Sequence, residues 1–176
     1  EIHYGKINPR KDCVEMKVAE NFTYTAAIKA CLRQLPRWII LSEARSEEVR
    51  YLMESLSTGT YGLTTLHTDD VRNIPDRIKN MAGGDMGRER ILNDVYRFIN
   101  IGVLVKSIIE EEGRIIRRIE QICAFDRRGE NYLKSVNDIT LLVDHGEMTG
   151  EKLPLNLARR FREQGICSIF QPEVGE

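Results

Sequence analysis

The run "WIIL", Trp38 to Leu41, is short, wholly apolar and rich in β-formers, and it lies between two segments whose apolar residues recur with helical period. Such a run fits a strand buried on both faces, as in a parallel sheet with helices on each side. Ahead of it, Thr25 can cap "AAIKACLRQL", in which Ile28, Cys31, Leu32 and Leu35 share one face until Pro36 stops the helix. Behind it, Ser46 with Glu47 and Glu48 opens a second helix that turns Val49, Leu52, Met53 and Leu56 inward before Gly59 breaks it. "GLTTLH" then reads as another strand. Strand, helix and strand in this order predict a parallel βαβ unit and an α/β fold.

Outside this stretch, "CVEMKV" alternates Val14, Met16 and Val18 with charged residues, the period of a half-buried strand. A third helix begins near Asn73 and Pro75 and carries Ile74, Ile78 and Met81 inward as far as Gly83-Gly84. A fourth runs from about Arg88 to Asn100 over Ile91, Val95 and Phe98. From Ile101 strands cluster: "IGVLVKSII", the turn "EEEGR" and "IIRRIEQICAF" predict a long hairpin, with "NYLKSV" and "ITLLVD" as further strands. A last helix spans Pro154 to Gln164 and ends at Gly165.

At 176 residues the length suits about one domain. With 26 basic and 27 acidic residues the net charge is -1, so no global field points to nucleic acid or an anionic membrane. The arginines at 114, 117, 118, 127 and 128 lack a neighbouring aromatic platform and read as a solvated β-face. Four cysteines without C-x-x-C spacing suggest reduced thiols in a cytosolic protein. No apolar segment approaches the ~20 residues that span a bilayer.

Ligands of alternating α/β domains collect at the carboxyl ends of parallel strands. Glu43 follows "WIIL" by two residues and His67 holds the matching place after "LTTL", so a parallel unit brings both to one edge. A carboxylate there can hold a Mg²⁺-bound water or orient an attacking one, or it can be a helix cap or a surface acid. His67 can donate to a phosphate or be satisfied by backbone, and Arg33 and Arg45 can fork onto phosphates or pair with nearby acids. A metal site from Glu43, His67 and Asp69 or Asp70 lacks any recognised ligand spacing. The phosphate-cradling G-x-x-x-x-G-K-[ST] is not in these residues: the only Gly-Lys, Gly5-Lys6, is followed by Ile7.

Taken together, "LRQLPRWIILSEARSEEVRYLMESLSTGTYGLTTLHTDDVRNIPDRIKNM" resembles the second half of the motor domain in the secretion ATPase superfamily, which drives type II secretion, type IV pili and type IV secretion. Leu32, Arg33, Pro36, Glu43 and Arg45 match the segment leading into that family's atypical Walker B. Thr58, Gly59, Gly62, Thr65 and His67 match its histidine box. "GRIIRRIEQICAFD" resembles its hairpin strand, and "TGEKLPLNLARRFREQGI" resembles the ending found in the tight-adherence (Flp) pilus branch. Ser42, Thr60 and Arg37 depart from the family's glycine, histidine and acid.

The resemblance implies a C-terminal part of a RecA-like P-loop NTPase, with a mixed sheet, flanking helices and a β-hairpin region. It implies an ATPase core half over residues 1–134 and a small extension over 135–176. Glu43 is then the catalytic acid, holding Mg²⁺ through water, and His67, Thr65, Arg33 and Arg45 sense the nucleotide's phosphates. ATP and Mg²⁺ are the implied cofactors, and the implied assembly is a homo-hexamer. Its implied partners are inner-membrane platform proteins of a pilus or secretion system, not nucleic acid. The implied place is cytoplasmic, peripheral to the inner face of the membrane. Because the family's P-loop precedes the matched region, the chain is expected to be a C-terminal fragment with negligible ATP affinity of its own. The competing expectation is a motor-like scaffold that binds partners without hydrolysis.

Overall fold

The computed structural model describes residues 3–46, 48–83, 88–110, 113–128 and 136–172. The chain divides into two units, Glu1–His67 with Met81–Gly84 and Thr68–Asn80 with Asp85–Glu176. The expected boundary at residue 134 and most of "NYLKSV" lie outside the described residues.

The first unit holds a single turn, α1 (Tyr4–Ile7), then α2 (Tyr24–Leu32), β1 (Trp38–Leu41), α3 (Glu48–Ser57) and β2 (Tyr61–Thr64). β1 and β2 pair in parallel, from Trp38 opposite Tyr61 to Leu41 opposite Thr64, which is the βαβ unit that the pattern predicts. Thr23, not Thr25, caps α2: its Oγ1 accepts the Ala26 N–H at 3.2 Å. An N-cap needs extended backbone, which Thr23 has, whereas Thr25 already lies inside the first turn. The helix also stops early, at Leu32. Leu35, expected on its inner face, precedes a proline, has φ +50° and is exposed.

β1 buries one face, not the two expected: Ile39 and Leu41 are inside, Trp38 and Ile40 outside. The core of this unit consists of those two residues with Ala27 and Ile28 of α2 and Val49, Leu52 and Met53 of α3. Lys29 of α2 lies over the Tyr51 ring of α3 at 5.5 Å, a cation–π contact between the two helices. Residues 13–18 form no strand despite their alternation. A strand needs a neighbour to take its backbone groups, and the only pairing nearby is one bridge between Ala19 and Phe22. Met16 instead meets the Cys31 thiol, sulfur to sulfur, at 3.6 Å.

The second unit begins with a 3-10 turn at Val71–Asn73, then α4 (Ile74–Met81) and α5 (Arg88–Phe98). Four antiparallel strands follow in the order β3 (Ile101–Ile109), β4 (Ile115–Arg128), β5 (Val136–Asp144) and β6 (Glu147–Met148). The predicted hairpin is present as β3 and β4. β6 had no signal of its own: it is two residues long and is reached through His145 and Gly146, both at positive φ, the backbone of a type I′ hairpin turn. α6 (Leu155–Glu163) sets Leu157 and Ala158 against Ala124, Leu142 and Leu153, with Ile122, Phe161 and Phe170 closing the cluster. Full burial of a side chain such as Leu142 contributes about 1.5–3 kcal/mol. Among the described residues no helix is long and apolar enough to cross a membrane.

Candidate functional site

The parallel pairing puts the carboxyl ends of β1 and β2 side by side, and the segments that leave them stay joined for one more step. Ala44 N–H donates to the Thr65 carbonyl at 2.8 Å, and Thr65 Oγ1 donates to the Ser42 carbonyl at 2.7 Å. Glu43 lies between these two ties, and His67 lies two residues past Thr65. The result is a close pair: His67 Nε2 stands 3.3 Å from Glu43 Oε1, while Arg45 Nη2 donates to Glu43 Oε2 at 2.6 Å.

The Arg45 guanidinium holds the Glu43 carboxyl below the ordinary carboxylate range, aided by the nearby imidazole, and Glu43 in turn raises Arg45. Glu43 is therefore an anion at neutral pH. Its side chain is 23% exposed, against 74% for Arg45 and 90% for His67, so both partners are open to solvent.

Local chemistry explains much of the surrounding motif. Glu48 accepts the Arg45 and Ser46 N–H groups at 2.6 and 2.8 Å and the Ser46 hydroxyl at 3.2 Å, placing an acid on the positive end of α3. Burial raises the Glu48 carboxyl, but these amides outweigh it and leave it lowered. At the other end of α3, Thr58 Oγ1 donates to the Ser55 carbonyl, and Gly59 turns the chain with φ +95°, a conformation that favours glycine. Gly62 has a different reason: a Cβ there would stand 2.6 Å from Leu56 Cδ2, so the bare backbone lets the Leu56 side chain of α3 pack against β2 without shifting.

The structure thus brings Glu43, Arg45, Thr65 and His67 together. It leaves Arg33 exposed at the end of α2, with no ion pair among the described residues. Asp69 and Asp70, the weaker metal-ligand candidates, are engaged locally: Asp69 accepts from Asn73 Nδ2 at 3.0 Å, and Asp70 caps the 3-10 turn and binds Arg72. Among the described residues no three His, Cys, Asp or Glu side chains gather as a metal cage. A lone carboxylate at a strand tip fits the looser demand of Mg²⁺, which keeps most of its waters and takes one or two carboxylates beside substrate phosphates. Of the candidate nucleic-acid arginines, Arg114 pairs with Glu110, Arg118 with Glu120, and Arg128 with Asp126 and Asp138.

Sequence reasoning did not single out Gln121, which is buried and accepts the Val71 N–H at 3.1 Å within the second unit. Its partner Val71 lies 50 residues away, so no local pattern could have marked it.

An uncharacterized protein of Bacillus anthracis is 29% identical over 130 residues, covering 70% of this chain and 30% of the relative. An uncharacterized protein of Methanocaldococcus jannaschii is 28% identical over 95 residues, covering 54% and 33%. The chain therefore spans about a third of the length of these two relatives. Among solved structures it is similar in fold to the ATPase DotB of Legionella pneumophila (TM-score 0.53, 24% identity, 59% of this chain and 28% of that one). It is similar again to the ATPase DotB of Yersinia pseudotuberculosis (TM-score 0.51, 16% identity, 57% and 26%). Mixed parallel and antiparallel sheets, similar in fold to those ATPases, accord with the C-terminal part of a RecA-like ATPase domain. The profile of the Type II/IV secretion system protein family matches residues 7–151, and the chain belongs to that family.

Proposed function

We propose that the intact protein is a motor ATPase that couples ATP hydrolysis to secretion or pilus assembly at the bacterial cytoplasmic membrane. The observation that carries this reading is the Glu43–His67 pair at the tips of two adjacent parallel strands, in a chain of the secretion family. Glu43, kept ionised by Arg45, orients the attacking water and accepts a hydrogen bond from it. His67, largely exposed and beside Glu43, donates toward the terminal phosphate and so distinguishes ATP from ADP. Thr65 ties the two strand ends so that these groups keep their spacing. Glu43 is the residue that would hold Mg²⁺, through water, and the ion would supply charge neutralisation at the phosphates.

Arg33, exposed at the end of α2, serves a neighbouring subunit's nucleotide in a homo-hexamer. Platform proteins of the inner membrane are the partners of such a motor, which works on the cytoplasmic face and is peripheral to it. The resemblance of "TGEKLPLNLARRFREQGI" to the ending of the tight-adherence pilus branch supports a place in that branch. These 176 residues contain no phosphate-cradling G-x-x-x-x-G-K-[ST], so by themselves they bind ATP negligibly.

The test uses the intact protein. Glu43→Gln keeps the shape and removes the charge: ATP binding persists and turnover falls on the order of 10²- to 10⁴-fold. Unchanged turnover would refute the catalytic role, and a wild-type protein that binds no nucleotide would favour the scaffold.

A further inference from the structure

Glu48 opens α3 and is buried, with only 6% of it exposed. A carboxylate in such a place needs donors, and it takes them from the loop behind it. Its Oε1 accepts the Arg45 N–H at 2.6 Å and the Ser46 N–H at 2.8 Å, and its Oε2 accepts the Ser46 hydroxyl at 3.2 Å. Both amides lie ahead of the helix, so these two bonds do not serve the unpaired N–H groups of its first turn. What they fix is the short connection between β1 and α3.

That connection carries Glu43 and Arg45, and it lies wholly within the first unit. Ala44, between them, is buried and gives its N–H to the Thr65 carbonyl at 2.8 Å. The residues from Glu43 to Ser46 are therefore held from two sides, by the end of β2 through Ala44 and by the start of α3 through Glu48. The Arg45 side chain is largely in solvent, so the fold directs it through its backbone, and its Nη2 reaches Glu43 Oε2 at 2.6 Å. Arg45 and Ser46 are exposed residues, so without the Glu48 oxygen water would satisfy their amides. Water would not fix their direction, and the root of the guanidinium would move with them. One carboxylate thus places the cation that grips another.

We infer that Glu48 is a positioning residue for Glu43: by holding the Arg45 and Ser46 amides it sets the direction from which Arg45 grips the catalytic carboxylate. The inference rests on the ATPase reading and deepens it, since it gives the buried acid of α3 a part in the reaction beyond its place at the positive end of the helix.

The experiment measures ATP turnover by the intact protein in wild type, E48Q, E48D, R45A and R45A/E48D. E48Q keeps the accepting oxygen at its full reach and is expected to hold kcat within about twofold of wild type. E48D keeps the charge at the helix end on an arm one methylene shorter, and is expected to lower kcat about tenfold with KM for ATP shifted less than about twofold. In the R45A background E48D is expected to cost nothing further. The reverse order, with E48D active and E48Q impaired, assigns Glu48 to the helix dipole alone and overturns the inference. It is overturned equally by wild-type turnover in E48D or in R45A, by E48Q falling as far as E48D, by equal losses in both backgrounds, or by a change confined to KM. If E48D does not fold, E48A goes through the same cycle with the same expectations; if neither folds, Glu48 is a fold residue and the inference fails. Absence of turnover in the wild type, or full turnover in Glu43→Gln, overturns the ATPase reading and the inference with it, whereas each of the other outcomes overturns the inference alone.

Discussion

Glu43 and Glu120 keep similar company. Each has an arginine two residues away in sequence, Arg45 or Arg118, and each has a histidine within 4 Å, His67 or His145. Each carboxyl is held below its ordinary value by a cationic donor, Arg45 for the first and Lys106 with Arg118 for the second. What differs is access. Glu120 is 5% exposed, and the Gly146 N–H donates to its carbonyl at 2.9 Å, so side chain and backbone both hold the β5–β6 turn against β4. Glu43 sits at a strand tip, beside partners that are mostly in solvent. Residue types alone do not separate the two carboxylates; the burial of the carboxyl itself does.

The comparison can be broken most sharply through turnover, where Glu43→Gln carries the largest expected effect. On stability the order reverses. Glu120→Gln breaks a buried ion network and lowers the thermal midpoint by roughly 5 °C, whereas Glu43→Gln leaves it within about 2 °C, as scanning calorimetry on the two variants will show. Equal shifts would dissolve the distinction.

A smaller effect comes with acid. Asp70, held far down by its Arg72 hydrogen bonds, and Glu120 both have lowered folded-state values. Their contribution is complete above the ordinary carboxylate value of about 4 and is lost as pH falls through the depressed folded values. The midpoint is thus expected to stay flat from neutral pH to about pH 5 and to drop below about pH 4, less steeply in Asp70→Asn. The smallest effect belongs to His145→Ala. His145 is 82% exposed and its nearest carboxylate oxygen is at 3.6 Å, so turnover is expected to stay within about twofold of wild type, in contrast to His67→Ala. A loss matching that of His67→Ala would put the second glutamate in the reaction.

Much of the first unit was legible because its signals are local or periodic. The inward faces of Ile28, Val49, Leu52 and Met53 follow the helical repeat, and the two strand tips follow from the short connections of a βαβ unit. What failed depended on partners elsewhere. "CVEMKV" has the period of a strand but, among the described residues, no strand beside it, and "WIIL" has the composition of a doubly covered strand with cover on one face only among them. The bulge at Glu120 and the reach of Gln121 to Val71 are products of register and distance, for which single residues carry no mark. Within the site, Thr65 came only from the resemblance to the family's histidine box, and Arg33 lies exposed at the end of a helix that stops sooner than its apolar repeat suggests.

Trp38 is the only tryptophan in these 176 residues, and it stands on β1, five positions ahead of Glu43. Its ring lies 5.1 Å from that of Tyr61 on the neighbouring strand, half in water. The unit that carries the glutamate and the histidine therefore has its own optical label: indole emission from this region reports the spacing of the two strands, without any dye and without signal from the four-stranded sheet.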